Sequence, residues 1–151
     1  MSPVVRPARL FWMVTALKLA HAHGVPVTML GGGSNVLIGD RGIRGLVLRP
    51  RGGAVSMIGD RLVRADAPVT INGLVRWTVN HGLAGLEAWA GTPGTVGGAI
   101  FGNAHWKQVN IGEVVESVRL ARRDGTLLQA AADRMEFAYD DSRLKRTGEV
   151  L

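Results

Sequence analysis

The sequence predicts an α+β protein made of two small α/β lobes. An amphipathic helical pattern opens the chain, short apolar runs suited to strands alternate with turns, and two of the connecting segments hold more glycine than a reversal of direction needs. With 151 residues, 46% of them hydrophobic, the chain can bury one core or two closely packed lobes. The boundary is expected near Arg51, with residues 1–50 as a first, βαβ-like lobe and residues 51–151 as a second lobe of hairpins plus helices.

Each element has its own signal. Leu10, Met13, Val14, Leu17 and Ala20 fall on one helical face, and Gly24 is placed to end that helix. Residues 25–30, 36–38 and 46–48 read as short strands, with residues 31–33 as a glycine loop and residues 40–45 turning. Gly59-Asp60 joins residues 55–58 and 62–65 in a hairpin. Pro68 can open a helix whose buried face carries Ile71, Leu74, Val75, Thr78 and Val79, closed by Gly82. Asp124-Gly125, between residues 115–122 and 126–130, is the strongest hairpin signal in the chain.

Composition narrows the function. Cysteine is absent, which excludes disulfides and thiolate metal sites, and the cytoplasm is the expected compartment. The net charge of +6 favours anionic ligands. The basic residues are scattered, however, so a phosphate-bearing small molecule fits as well as nucleic acid. Arg6, Arg9, the apolar run 10–17 and Ala20-His21-Ala22 imitate a secretory leader, but Lys18 interrupts the run and the helical face argues for a core-facing helix. The segment is short of the roughly 20 apolar residues that span a bilayer. His21 and His23 lie on different sides of that helix and lack a third ligand, so no metal site is expected. Glu87 and Glu113 read as ends of elements, and Trp12, Trp77, Trp89 and Trp106 as core.

The chemistry lies in the glycines. Residues 29–40 place three consecutive glycines and Ser34-Asn35 between apolar strings. The Lys-Ser/Thr ending of a P-loop is missing, and so is the helix-opening third small residue of a Rossmann fingerprint. A phosphate here would be held by a nest of backbone N–H groups, with Ser34 and Asn35 adding side-chain donors; the alternative is a tight turn with no ligand. Residues 90–106 form a second glycine-rich segment, with Pro93-Gly94 as a turn and Gly97, Gly98 and Ala99 where backbone would press against a flat ligand or another backbone. Two such loops in one small chain suit a long, thin ligand such as a dinucleotide.

In order along the chain, residues 25–48, 82–104, 111–125 and 135–145 resemble the flavin-binding part of the UDP-N-acetylenolpyruvoylglucosamine reductase (UDP-N-acetylmuramate dehydrogenase) family. The fold this implies is the vanillyl-alcohol-oxidase/PCMH-type FAD-binding fold, without the C-terminal substrate domain. The resemblance implies FAD as cofactor, with Gly31, Gly32, Gly33, Ser34 and Asn35 on its pyrophosphate. It places Gly91, Thr92, Pro93, Gly94, Thr95, Val96, Gly97 and Gly98 along the flavin and its linker, with Asn103 at the matching Asn-Ala position. It also implies NADPH as hydride donor, a UDP-sugar substrate and a role in peptidoglycan synthesis, with no nucleic-acid or membrane partner.

Two departures stand out. Where the family has Phe-Gly-Tyr-Arg, this chain has Phe137-Ala138-Tyr139-Asp140, which puts an anion where a cation would face the substrate carboxylate. At an effective dielectric of about 20, such a reversal is worth several kcal/mol. Where the family has Asn-Ala-Gly-Ala-Tyr-Gly, this chain reads Asn103-Ala104-His105-Trp106-Lys107-Gln108. The chain matches the middle of the family pattern, so it is expected to be part of an enzyme, not competent for full turnover alone. The alternatives are a catalytically inactive FAD-binding remnant and a basic nucleic-acid-binding module.

Overall fold

The computed structural model describes residues 7–151, with side chains from Leu10 onward. Arg6 of the leader-like pattern lies outside the described residues. The chain opens with α1 (Pro7–Ala22), with Pro at its first position. The helix buries Leu17 and Ala20, as its apolar face requires, and ends where Gly24 turns to φ +64 and Val25 N–H donates to Ala20 O at 2.8 Å. No helix among the described residues is long and apolar enough to cross a membrane.

Strands β1 (Val27–Met29) and β2 (Leu46–Leu48) pair in parallel, with Val27 opposite Leu46. Among the described residues of the first lobe the helix precedes both strands, and the crossover between them is the glycine loop and a turn. Residues 36–38 are not a strand. They run as exposed loop, Leu37 fully exposed, since among the described residues β1 pairs only with β2 and no further strand lies beside them. Apolar side chains satisfy a strand pattern, but a strand needs a partner for its backbone.

The hairpin β3 (Val55–Met57) and β4 (Val63–Ala65) forms around Gly59-Asp60 as its turn signal requires. Helix α2 (Ile71–Asn80) begins after Pro68, once Thr70 caps it by accepting from Gly73 N–H at 3.0 Å. It buries Ile71, Leu74, Val75 and Thr78, while Val79 is exposed. Helix α3 (Val96–Gly102) carries no helical pattern in sequence, since Gly97 and Gly98 each cost about 1 kcal/mol against alanine in a helix. Tertiary packing of Ala99 and Ile100 and a Thr95 cap override that propensity. A small hairpin follows, β5 (His105–Trp106) with β6 (Val109–Asn110). The last pair is β7 (Ser117–Ala121) and β8 (Leu127–Ala131), turned by Asp124-Gly125 with Thr126 N–H donating to Asp124 Oδ1 at 2.8 Å. A final turn of helix, α4 (Leu144–Thr147), buries Leu144.

The contiguous core lies in residues 71–144, where Ile71, Val75, Ile100, Leu120, Met135 and Leu144 form one buried cluster with Trp89. Trp89 is fully buried and its indole N–H donates to Ala104 O at 3.3 Å. Its three counterparts depart from the expected core role. Trp12 and Trp106 are 67% and 56% exposed, and Trp77 is half-buried with its ring stacked on His81. Of the two acids read as ends of elements, Glu87 accepts from Gly85 N–H at 2.7 Å, and Glu113 accepts from Asn110 N–H at 2.9 Å. Backbone hydrogen bonds hold both carboxyls below their ordinary range.

Candidate functional site

The two glycine-rich segments meet. A methyl group added at Gly32 would lie 3.2 Å from Gly94 Cα, and one added at Gly94 would lie 2.9 Å from the Ser34 hydroxyl. At Gly31 it would lie 2.6 Å from Thr95 Oγ1. The first loop is thus seated on the second, and the absence of side chains at both faces is what permits the contact.

What holds the first loop is Arg49, one residue beyond β2. Its Nε donates to Gly31 O at 3.2 Å and its Nη2 to Gly32 O at 3.0 Å. The pairing of Leu30 N–H with Leu48 O, 2.9 Å, brings the strand end and the loop side by side. Among the described residues no peptide bond is cis, so each carbonyl turned toward Arg49 sends the next N–H, that of Gly32 or Gly33, the opposite way. Among the described residues nothing accepts from the N–H groups of Gly32, Gly33, Ser34 or Asn35, all of them exposed. Gly33 takes φ +78, which lets consecutive N–H groups point to one side.

The second loop is organised differently. Gly91 N–H donates to Asn72 Oδ1 at 2.6 Å, Thr92 N–H to Trp89 O at 3.0 Å, and Gly98 N–H to Thr95 Oγ1 at 3.2 Å. Val96 and Gly97 donate to Val69 O and Ala67 O, each at 2.8 Å, and Gly94 O accepts from Ile71 N–H at 3.0 Å. The neighbour that the small side chains at 97 and 98 admit includes backbone, since a methyl at Gly97 would lie 3.3 Å from Ala67 O. Pro93 and Gly98 remain exposed on its outer side.

Asn103 closes α3 at φ 44 and is buried. Its Nδ2 donates to Ala138 O at 2.8 Å and its Oδ1 accepts from Gly112 N–H at 3.0 Å, so its amide ties α3 to two later segments instead of pointing outward. The two departures from the family pattern meet in space. Asp140 Oδ1 lies 3.3 Å from His105 Nδ1, and the His105 ring leans on Tyr139 with centroids 4.7 Å apart. The His105 Nδ1 is buried and has no hydrogen-bond partner among the described residues, so the two side chains lie close without a hydrogen bond. Asp140 takes φ 51 and its backbone carbonyl accepts from Lys145 Nζ.

Arg49 and Asn72 were not singled out by sequence reasoning, because neither belongs to a glycine segment. A signal for Arg49 did exist: it directly follows the strand that must lie beside the loop. The clefts between α1 and the β7–β8 turn, lined by Leu17, His21 and Arg123 among others, include no residue of either glycine loop. Residues 32–35 of the candidate site are exposed.

The FAD binding domain family matches residues 2–131. The chain belongs to this FAD binding domain family. The cofactor that the resemblance implies, FAD, is therefore the one the family is described by. Over 145 residues the domain is 40% identical to the UDP-N-acetylenolpyruvoylglucosamine reductase of Rubrobacter xylanophilus, covering 93% of this chain and 48% of that relative. The Anaeromyxobacter enzyme of the same name is 42% identical over 146 residues, covering 93% and 44%. In three dimensions the domain matches the crystal structure of UDP-N-acetylenolpyruvylglucosamine reductase (MurB) from Thermus caldophilus with a TM-score of 0.70 and 26% identity, covering 87% of this chain and 48% of that one. The expected α+β FAD-binding fold is thereby found, and the chain spans about half the length of the relatives it matches.

Proposed function

We propose that this domain binds FAD across its two glycine loops. The pyrophosphate lies against Gly31, Gly32, Gly33, Ser34 and Asn35, and the flavin and its linker run along residues 91–98. The observation that supports this most is the unengaged row of N–H groups at residues 32–35, their carbonyl sides held at Gly31 and Gly32 by Arg49. Such a row is an anion nest, and it requires neither a P-loop lysine nor a helix terminus. A diphosphate is the part of FAD that fits it.

The whole protein is then an NADPH-using reductase of UDP-N-acetylglucosamine enolpyruvate, acting in the cytoplasm in peptidoglycan synthesis on a UDP-sugar. FAD, when bound, supplies hydride transfer. The part of this chain is to orient and shelter it: the first loop fixes the diphosphate, and the second presents a shelf that cannot shift without breaking its hydrogen bonds to residues 67, 69 and 72. The pairing of Asp140 with His105 favours a second reading, a domain that binds FAD without reducing the substrate, because an exposed carboxylate there repels a substrate carboxylate.

Equilibrium dialysis of the purified protein against FAD, NAD and ATP tests the proposal. FAD retained in preference to the other two is the expected result. Folded protein that retains no FAD at tens of micromolar overturns it.

A further inference from the structure

We propose that Arg49 is a positioning residue for the diphosphate, acting through the peptide units of the first glycine loop and not by touching the ligand; this rests on the FAD reading above. Its guanidinium faces the carbonyls of Gly31 and Gly32 at 3.2 and 3.0 Å, on the side of those peptide units opposite to the N–H groups that form the nest. A run of glycines is the most mobile backbone a chain can offer, and ordering it at the moment of binding costs affinity. A fork that holds two successive carbonyls takes that ordering out of the binding step, which is preorganisation in its simplest form. The planar guanidinium makes both bonds in one geometry, whereas an ammonium is a point charge without a fork. The residue is exposed and follows β2, so its loss leaves the core of residues 71–144 untouched.

The experiment compares the parent with Arg49→Ala and Arg49→Lys. Binding of FAD and ADP, which carry the diphosphate, is titrated beside riboflavin, which lacks it, and order parameters of the Gly32 and Gly33 N–H groups are measured by NMR without ligand. Arg49→Ala is expected to weaken FAD and ADP on the order of tenfold to a hundredfold, the equivalent of one or two charge-assisted hydrogen bonds, and to leave riboflavin unchanged. The order parameters fall in the same variant, Arg49→Lys recovers only part of the affinity, and millimolar methylguanidinium restores FAD binding to Arg49→Ala. Unchanged order parameters overturn the proposal even if no flavin binds, so its failure is separable from that of the FAD reading, which is the absence of FAD binding in the parent. A lysine variant that binds as the parent does, or a parallel loss of riboflavin, would equally overturn it.

Discussion

In the first glycine loop the N–H groups of residues 32–35 bond to nothing among the described residues, whereas in the second those of Gly91, Thr92, Val96, Gly97 and Gly98 are engaged within the protein and only those of Gly94 and Thr95 are not. The supports differ in the same sense. The second loop stands on α2, Trp89 and α3, at the edge of the buried cluster. The first is tied to a two-stranded ladder by the Arg49 fork and a single strand-end bond, and the described part of the chain before residue 71 buries only Leu17 and Ala20 among its hydrophobic side chains. Glycine therefore serves two purposes in one site. In the second loop it permits backbone to approach backbone, and in the first it leaves donors unengaged for something outside the chain.

That contrast can be broken most severely at Gly97. A valine there would drive its first carbon to 3.0 Å from Ala67 Cβ and 3.3 Å from Ala67 O. Overpacking of this kind costs about 1–3 kcal/mol. Gly97→Val is expected to lower the thermal midpoint of the ligand-free protein and to lose FAD with it. If calorimetry finds the midpoint unmoved, the second loop is not the scaffold described here.

Gly33→Val separates the two purposes. Around Gly33 there is open space, so the penalty comes only from φ +78, about 1–2 kcal/mol for a side chain in the left-handed region. FAD binding should be lost out of proportion to that cost, while Gly33→Asn, which tolerates the same φ, retains most of it. Flavin titrations of both variants decide the point: a valine variant that binds FAD as the parent does would place the nest elsewhere.

The smallest effect is expected at the acid edge of the second region. The hydrogen bond from Arg146 holds the Asp141 carboxyl below its ordinary value, and the charge of Arg146 adds to it. A carboxyl whose folded pKa is depressed contributes stability above its unfolded pKa and loses it as pH falls through the folded value. The difference in thermal midpoint between the parent and Asp141→Asn should therefore shrink between about pH 5 and about pH 3. A difference that stays constant over that range would mean the pair contributes no charge-dependent stability. FAD binding should not respond, since Asp141 touches neither loop.

Local chemistry alone determined α1 with its Gly24 end, the Gly59-Asp60 and Asp124-Gly125 hairpins, the buried face of α2, and the two glycine loops as the place to look. These are signals that turns, caps and periodicity write into neighbouring residues. Tertiary structure decided the rest. Residues 36–38 have a strand's composition, yet a strand exists only where another chain segment accepts its hydrogen bonds. Helix α3 forms through glycines because Ala99 and Ile100 pack into a core that the sequence window around them does not contain. Asn103 also serves as a bracket in the fold, because Gly112 and Ala138 reach it from nine and thirty-five residues away. Arg49 likewise acts across 17 and 18 residues, and only the parallel pairing of β1 with β2 brings its fork to the loop. How many N–H groups each glycine loop keeps unengaged was settled the same way, by the acceptors that neighbouring segments place beside it.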